Sequence, residues 1–196
     1  MTERIASVER VTKETAVRLT LNLDGTGRCE AKTGLGFFDH MLDGFARHGM
    51  FDLTLSCEGD LHVDTHHSIE DTGIVLGEAI KQALGDKKGI KRYGNFYLPM
   101  DETLILCAVD LSGRPYVVND VTYTCEKLGE VETEMLAEFF YAVAYSAGMN
   151  LHLRKMSGAN NHHIAEGCFK AFAKALDMAT SLDPRVEGVW STKGSL

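Results

Sequence analysis

The chain has 196 residues, 44% hydrophobic and 24% charged, with a formal net charge of −8. That is a globular profile long enough to bury a sizeable core, and its acidic balance argues against nucleic acid, whose phosphates would be repelled. No apolar run is long enough to cross a bilayer, the opening MTERIASVER lacks the apolar stretch of a secretory leader, and the five scattered cysteines (29, 57, 107, 125, 168) form no CxxC pair. The expectation is a cytoplasmic protein with reduced thiols.

In chain order, AVRLTLNL (16–23) alternates apolar and polar residues and predicts a strand, with DGTG as a tight turn after it. FFDHMLDGFARHG (37–49) predicts a helix whose C-cap is Gly49, and FDLTLSCEG (51–59) a strand. HHSIEDTGIVLGEAIKQAL (66–84) predicts an amphipathic helix, with Asp64 as the N-cap. The same series then recurs. TLILCAVDL (103–111) reads as a strand and LSGRP (111–115) as a turn. ETEMLAEFFYAVAYSAG (132–148) reads as a helix with an apolar stripe of Met135, Phe139, Ala142 and Val143, capped by Gly148. MNLHLRKMSG (149–158) is a strand, and HHIAEGCFKAFAKAL (162–176) a helix capped by Asn160. His62 and His152 read as strand residues on a polar face, and STKGSL as a loose tail.

The recurrence is a duplication. ETAVRLTLNLDGTGR (14–28) resembles ETLILCAVDLSGR (102–114), HGMFDLTL (48–55) matches AGMNLHLR (147–154), and both closing helices begin His-His-x-x-Glu. The expected fold is α+β: an internal duplication with half repeats 1–93 and 94–196, each a sheet with helices packed on one of its faces.

The His-His-x-x-Glu motifs carry the chemistry. The pairs fall in the first turn of their helices. Neighbouring helical residues point about 100° apart, so two adjacent histidines do not readily chelate one ion. The glutamate lies about 40° from the first histidine and about 60° the other way from the second. The favoured chelate is therefore the first histidine plus the glutamate, and the second histidine serves elsewhere. Two facing motifs would make a two-metal site with exchanged histidines: His66 and Glu70 with His163, and His162 and Glu166 with His67. Nitrogen and oxygen donors without thiolate favour Mn²⁺, Fe²⁺ or Zn²⁺, and a high-coordination site leans toward Mn²⁺. A single such motif is more often a solvated helix start; two in matching places shift the balance to metal.

Other polar residues are less decided. His40 lies in a mostly apolar helix, which leaves open a buried hydrogen-bonded histidine or a ligand. His48 ends that helix, where a cation suits the dipole. Arg92 and Arg114 stand beside glycine-containing turns, and Ser191, Thr192 and Lys193 offer two hydroxyls and an ammonium. These groups suit a phosphate, or are ordinary solvated loops.

Together, GFFDHMLDGFARHGMFDL, DTHHSIEDTGIVLG, KRYG, PMDETL, VDLSGRPY, NNHHIAEGCFKAFAKAL and the closing DPR and STKG resemble the imidazoleglycerol-phosphate dehydratases of histidine biosynthesis, in order and over nearly the whole chain. The resemblance implies a lyase that dehydrates D-erythro-imidazole-glycerol phosphate to imidazole-acetol phosphate. It implies two Mn²⁺ per active site and a homo-oligomer of 24 subunits with active sites at subunit contacts. One ion would take His40, His67, His162 and Glu166; the other would take His66, Glu70, Glu138 and His163. Glu14 would be the acid/base group, with His67 and Glu166 also catalytic. Substrate would be met by Glu14 and His40, with Arg92, Arg114, Ser191, Thr192 and Lys193 at the phosphate end and His48 and Lys170 nearby. Two positions depart from the family pattern: Glu138 stands where many relatives carry His, and Trp190 where Pro is common. The competing readings are a dinuclear metallohydrolase acting on a small phosphorylated substrate, and a metal-binding structural oligomer; a phosphate clamp of Arg92, Arg114 and Lys193 has no use in the latter.

Overall fold

The computed structural model describes residues 4–196. The first half runs β1 (Ile5–Val11), β2 (Thr15–Asn22), β3 (Cys29–Lys32), α1 (Gly36–Gly49), β4 (Asp52–Gly59) and α2 (His66–Leu84). The second runs β5 (Tyr93–Met100), β6 (Thr103–Asp110), β7 (Tyr116–Asp120), a small hairpin β8 (Lys127–Leu128) and β9 (Val131–Glu132), then α3 (Thr133–Ala147), β10 (Asn150–Ser157) and α4 (Asn161–Thr180). The sheets order as β1-β2-β4-β3 and β5-β6-β10-β7. In each, three strands are antiparallel and the short edge strand runs parallel to its neighbour, β3 beside β4 and β7 beside β10. The two four-stranded sheets thus match strand for strand in an α+β arrangement, and the β8–β9 hairpin has no counterpart among the described residues of the first half.

The alternation in β2 buries Val17, Leu19 and Leu21 and leaves Arg18 and Thr20 exposed; β6 buries Ile105, Cys107 and Val109 in the same way. Those faces meet the helices. α2 lies on β1 and β2, α1 on β3, α4 on β5 and β6, and α3 touches β7. The helices also pair across the halves, α1 on α4 and α2 on α3, so all four lie between the two sheets over one continuous core. Phenylalanines join them. Phe139 and Phe169 stack with ring centroids 5.1 Å apart, Phe45 and Phe172 at 5.5 Å, and Phe38 stands edge-on to Phe139. Each such ring, fully buried, contributes about 1.5–3 kcal/mol. α2 and α3 approach closely because α2 carries Gly73 and Gly77 at the contact: a methyl on Gly77 would lie 2.5 Å from the Val143 carbonyl.

Several local expectations change. Gly49 is the last helical residue of α1, where a side chain would strike the Phe51 ring, and Met50 takes the left-handed cap (φ 57°). The left-handed cap of α3 is Gly148, so Met50 corresponds to Gly148 and Leu53 to Leu151, one residue from the alignment that the Gly-Met pairs propose. The same bond closes both caps, Phe51 N–H to the Ala46 carbonyl and Met149 N–H to the Ala144 carbonyl. His62 lies in a turn, whereas His152 is an exposed strand residue. The cysteines are all free. Among the described residues, no helix is long and apolar enough to cross a membrane.

Candidate metal centre

Both histidine pairs sit at helix starts held by a side-chain acceptor. Asn160 Oδ1 accepts from the amides of His162 and His163 at 3.0 and 3.4 Å. On α2, Thr65 occupies the cap position and Asp64 Oδ1 accepts from the His66 amide at 2.8 Å. One turn on, the helical spacing brings each first histidine to its glutamate. His162 Nε2 is 3.2 Å from Glu166 Oε2, and His66 Nε2 is 3.7 Å from Glu70 Oε2.

The packing of α1 on α4 adds a third donor to the second of these motifs. His40 Nε2 lies 3.9 Å from the same Glu166 oxygen. Ligand atoms of His40, His162 and Glu166 all fall within 4.8 Å of one another, and they are the only such trio among the described residues. The buried reading of His40 therefore fails: its side chain is 49% exposed, while Phe38, Met41, Leu42 and Phe45 carry the buried face of α1. Two imidazole nitrogens and a carboxylate oxygen are a donor set for a borderline divalent ion. Burial alone would raise the Glu166 carboxyl, but the hydrogen bond and charge of Lys170, 2.7 Å away, hold it below its ordinary range. His48 is pushed the other way from the cation expected at a helix end: partial burial and the charge of Lys170 lower it.

The first motif has its counterpart to His40 in Glu138. Counting back from Met50 and from Gly148, His40 and Glu138 hold the same place on α1 and α3, and α3 packs on α2. Glu138 is half-buried, and with His66 and Glu70 it does not close to a trio of the first kind.

The second histidines are held differently. His67 Nδ1 lies 3.0 Å from Asp60 Oδ2, and its Nε2 is 3.8 Å from Glu14 on the turn between β1 and β2. The hydrogen bond to Asp60 raises the His67 pKa. His163 Nδ1 lies 2.9 Å from Glu102 Oε2, and its Nε2 is 4.0 Å from Asp101. Neither joins the His–Glu pair of the opposite motif, so the exchange of histidines anticipated between the motifs is not made within one chain.

The basic residues gather at the other end of α4. Arg92 is engaged twice, by Asp110 at 2.7 and 3.1 Å and by the Trp190 carbonyl at 2.9 Å, and its N–H donates to the Ala179 carbonyl. Ser191 and Thr192 border an open cavity of about 530 Å³ shared with Asp183, Arg185 and Trp190. Arg114 follows Gly113, which abuts the terminal Leu196, and Lys193 is exposed in the same tail. From Glu166 to Ala179 the helix rises about 20 Å. Within one chain the anion-type groups and the His–Glu trio are thus well separated; Lys170 is with the trio, and His48 feels its charge from further along α1.

The profile of imidazoleglycerol-phosphate dehydratases matches residues 33–176. The chain belongs to the imidazoleglycerol-phosphate dehydratase family. It is 64% identical over 193 residues to the imidazoleglycerol-phosphate dehydratase of Lachnoclostridium phytofermentans, covering 98% of each chain. It is 58% identical to that of Acetivibrio thermocellus, covering 99% of this chain and 100% of that one. Two solved members share the fold at 37% identity. The dehydratase of Staphylococcus aureus superposes with a TM-score of 0.82, covering 91% of this chain and 99% of that one. That of Pyrococcus furiosus, solved with (S)-C348, gives 0.83, covering 96% and 100%. As a member of the imidazoleglycerol-phosphate dehydratase family the protein is a hydro-lyase of histidine biosynthesis, and the metallohydrolase and structural readings fall away.

Asp60, Asp101 and Glu102 are contacts that sequence reasoning passed over. A signal for Glu102 was present: it repeats Glu14 in the Glu-Thr pair that opens β2 and β6.

Proposed function

We propose that the protein dehydrates D-erythro-imidazole-glycerol phosphate to imidazole-acetol phosphate at a two-Mn²⁺ site that further copies of the chain complete, in an assembly of 24 subunits. The observation that carries this is the His40, His162 and Glu166 trio, whose two imidazoles are each nearly half exposed. In this reading His67 of another subunit is its fourth protein ligand, and His66, Glu70, Glu138 and His163 make the second set. The separation of the trio from Arg92, Arg114, Ser191, Thr192 and Lys193 supports an active site assembled between subunits, since one small substrate must reach both. When bound, the two ions would draw electron density from the substrate's imidazole ring, which is the electron sink available to a carbon not acidified by a carbonyl.

The residues of the chain do the rest. The basic groups and tail hydroxyls hold the phosphate, and with the ring held at the other end the glycerol carbons are fixed between them. Lys170 holds Glu166 Oε1, which leaves Oε2 turned toward His40 and His162. Among the described residues the Glu14 carboxylate has no hydrogen-bond partner beyond the approach of His67, and it is 54% exposed, free to pass a proton at the glycerol carbons.

The test is turnover of imidazole-glycerol phosphate by chelator-stripped protein before and after addition of Mn²⁺. Activity that returns only with Mn²⁺ is expected. No turnover in assembled, Mn²⁺-loaded protein would reject the proposal.

A further inference from the structure

Two features of the duplicated halves stand outside the ligand sets. The second histidine of each motif has a carboxylate on Nδ1: Asp60 on His67, and Glu102 on His163. The carboxylates come from different places. Glu102 sits on the hairpin turn between β5 and β6, and its Oε1 is fixed by three donors: the amides of Asn160 at 2.8 Å and Ala159 at 3.1 Å, and the Thr103 hydroxyl at 3.0 Å. Its duplicate on the hairpin between β1 and β2 is Glu14. In the first half the loop from strand to closing helix spans residues 60–65, against 158–160 in the second. The longer loop brings Asp60 onto His67, with the Asp60 amide bonded to the Glu14 carbonyl. The orienting task that Glu102 performs is therefore taken over by Asp60, and Glu14 is released from it.

We propose that Asp60 and Glu102 are positioning residues of the two metal sites: each holds the proton of its histidine on Nδ1 and so keeps the Nε2 lone pair of His67 or His163 free to bind an ion. An ionised carboxylate only accepts, so the nitrogen facing it must carry the hydrogen, and a neutral imidazole then has its lone pair on the other nitrogen. Histidine ligands need their second nitrogen anchored in this way, and loss of the anchor costs about 10–100-fold in metal affinity. The inference rests on the metal reading above.

The two carboxylates differ in a way that makes the idea sharp. In Glu102→Gln the amide oxygen must stay with the Ala159 and Asn160 amides, which only donate. The NH₂ group then faces His163 Nδ1, donates to it, and drives the proton to Nε2, where it blocks the lone pair. Among the described residues neither Asp60 carboxylate oxygen has a hydrogen-bond partner other than His67, so in Asp60→Asn the amide can turn its oxygen to His67 Nδ1 and preserve the tautomer. Asp60→Ala removes the anchor altogether.

The experiment is titration of chelator-stripped, full-length assembled protein with Mn²⁺, read by electron paramagnetic resonance of the free ion, with assembly size and thermal melting checked for each variant. Glu102→Gln is expected to lose about 10–100-fold at one of the two sites, Asp60→Ala the same at the other, and Asp60→Asn little. Wild-type affinity in Glu102→Gln overturns the proposal, as do equal losses in Glu102→Gln and Asp60→Asn, which would make charge alone the cause. Should Glu102→Gln fail to assemble, the Asp60→Asn and Asp60→Ala pair decides: equal affinity of the two overturns it. Absence of Mn²⁺ binding by the wild type rejects the metal reading itself, and this inference with it.

Discussion

His40 and Glu138 each stand ten residues before the left-handed residue that ends their helix, on α1 and α3. The duplication thus puts an imidazole at this position in one half and a carboxylate in the other; His40 closes on His162 and Glu166, whereas Glu138 stays apart from His66 and Glu70 within one chain, and its place among the ligands belongs to the proposed two-ion site. Glu138→Ala should lower Mn²⁺ content by about one ion per chain with the fold intact, and Glu138→His should restore it, imidazole being as competent a donor. Metal analysis after gel filtration checks both; full occupancy in Glu138→Ala would remove Glu138 from the ligands.

In the proposed reading Asp60 anchors His67 and Glu14 acts on the substrate, so substitution of Glu14 should spare the metal. Glu14→Gln is expected to lower turnover about 10²- to 10⁴-fold with Mn²⁺ content unchanged. Steady-state kinetics beside metal analysis tests this, and unchanged turnover would exclude an acid/base role.

Gly77 faces the backbone of α3, with the Val143 carbonyl 2.5 Å and the Ala147 nitrogen 3.0 Å from where a Cβ would stand. Backbone cannot swing aside as a side chain can. Gly77→Ala should therefore destabilise by about 1–3 kcal/mol despite the better helix propensity of alanine. Urea unfolding of the two proteins measures the difference; a gain in stability would show that the helices separate freely.

Glu132 joins the start of α3 to Thr65 at the start of α2 and to Lys127, whose hydrogen bond, with that of Thr65, holds its carboxyl at about 2 against an ordinary 4.5. A carboxyl depressed in the folded state adds stability that is complete above the unfolded pKa and is lost as the pH falls toward the folded one. The stability gap between wild type and Glu132→Gln should therefore be level above about pH 5.5 and shrink between about pH 4.5 and 2. Chemical denaturation across that range reads it, and a gap independent of pH would contradict the ion pair.

Much of this architecture is legible in the residue order. Alternation in β2 and β6 and the stripe of Met135, Phe139, Ala142 and Val143 announce elements whose burial is one-sided, so period and environment agree. β1, β3, β5 and β7 are not announced. They are edge strands, half exposed, and β5 carries a glycine and a proline within TyrGlyAsnPheTyrLeuProMet; their pairing comes from neighbours far along the chain. At the centre, the first-histidine chelates are legible because helix geometry alone makes them. His40 is not, since an apolar helix can still present one polar residue at its exposed edge. Arg92 is a different case: its engagement by Asp110 depends on the register of β5 against β6, which no local pattern encodes.

The αL cap of α1 is borne by Met50, whereas α3 uses Gly148. A side chain in that conformation costs about 1–2 kcal/mol, a cost present in the first half and absent from the second. The two halves therefore differ in local backbone cost at this matched position. Each works as an internal control for the other: wherever the copies differ at matched positions, one shows what the backbone prefers and the other what the rest of the fold can tolerate.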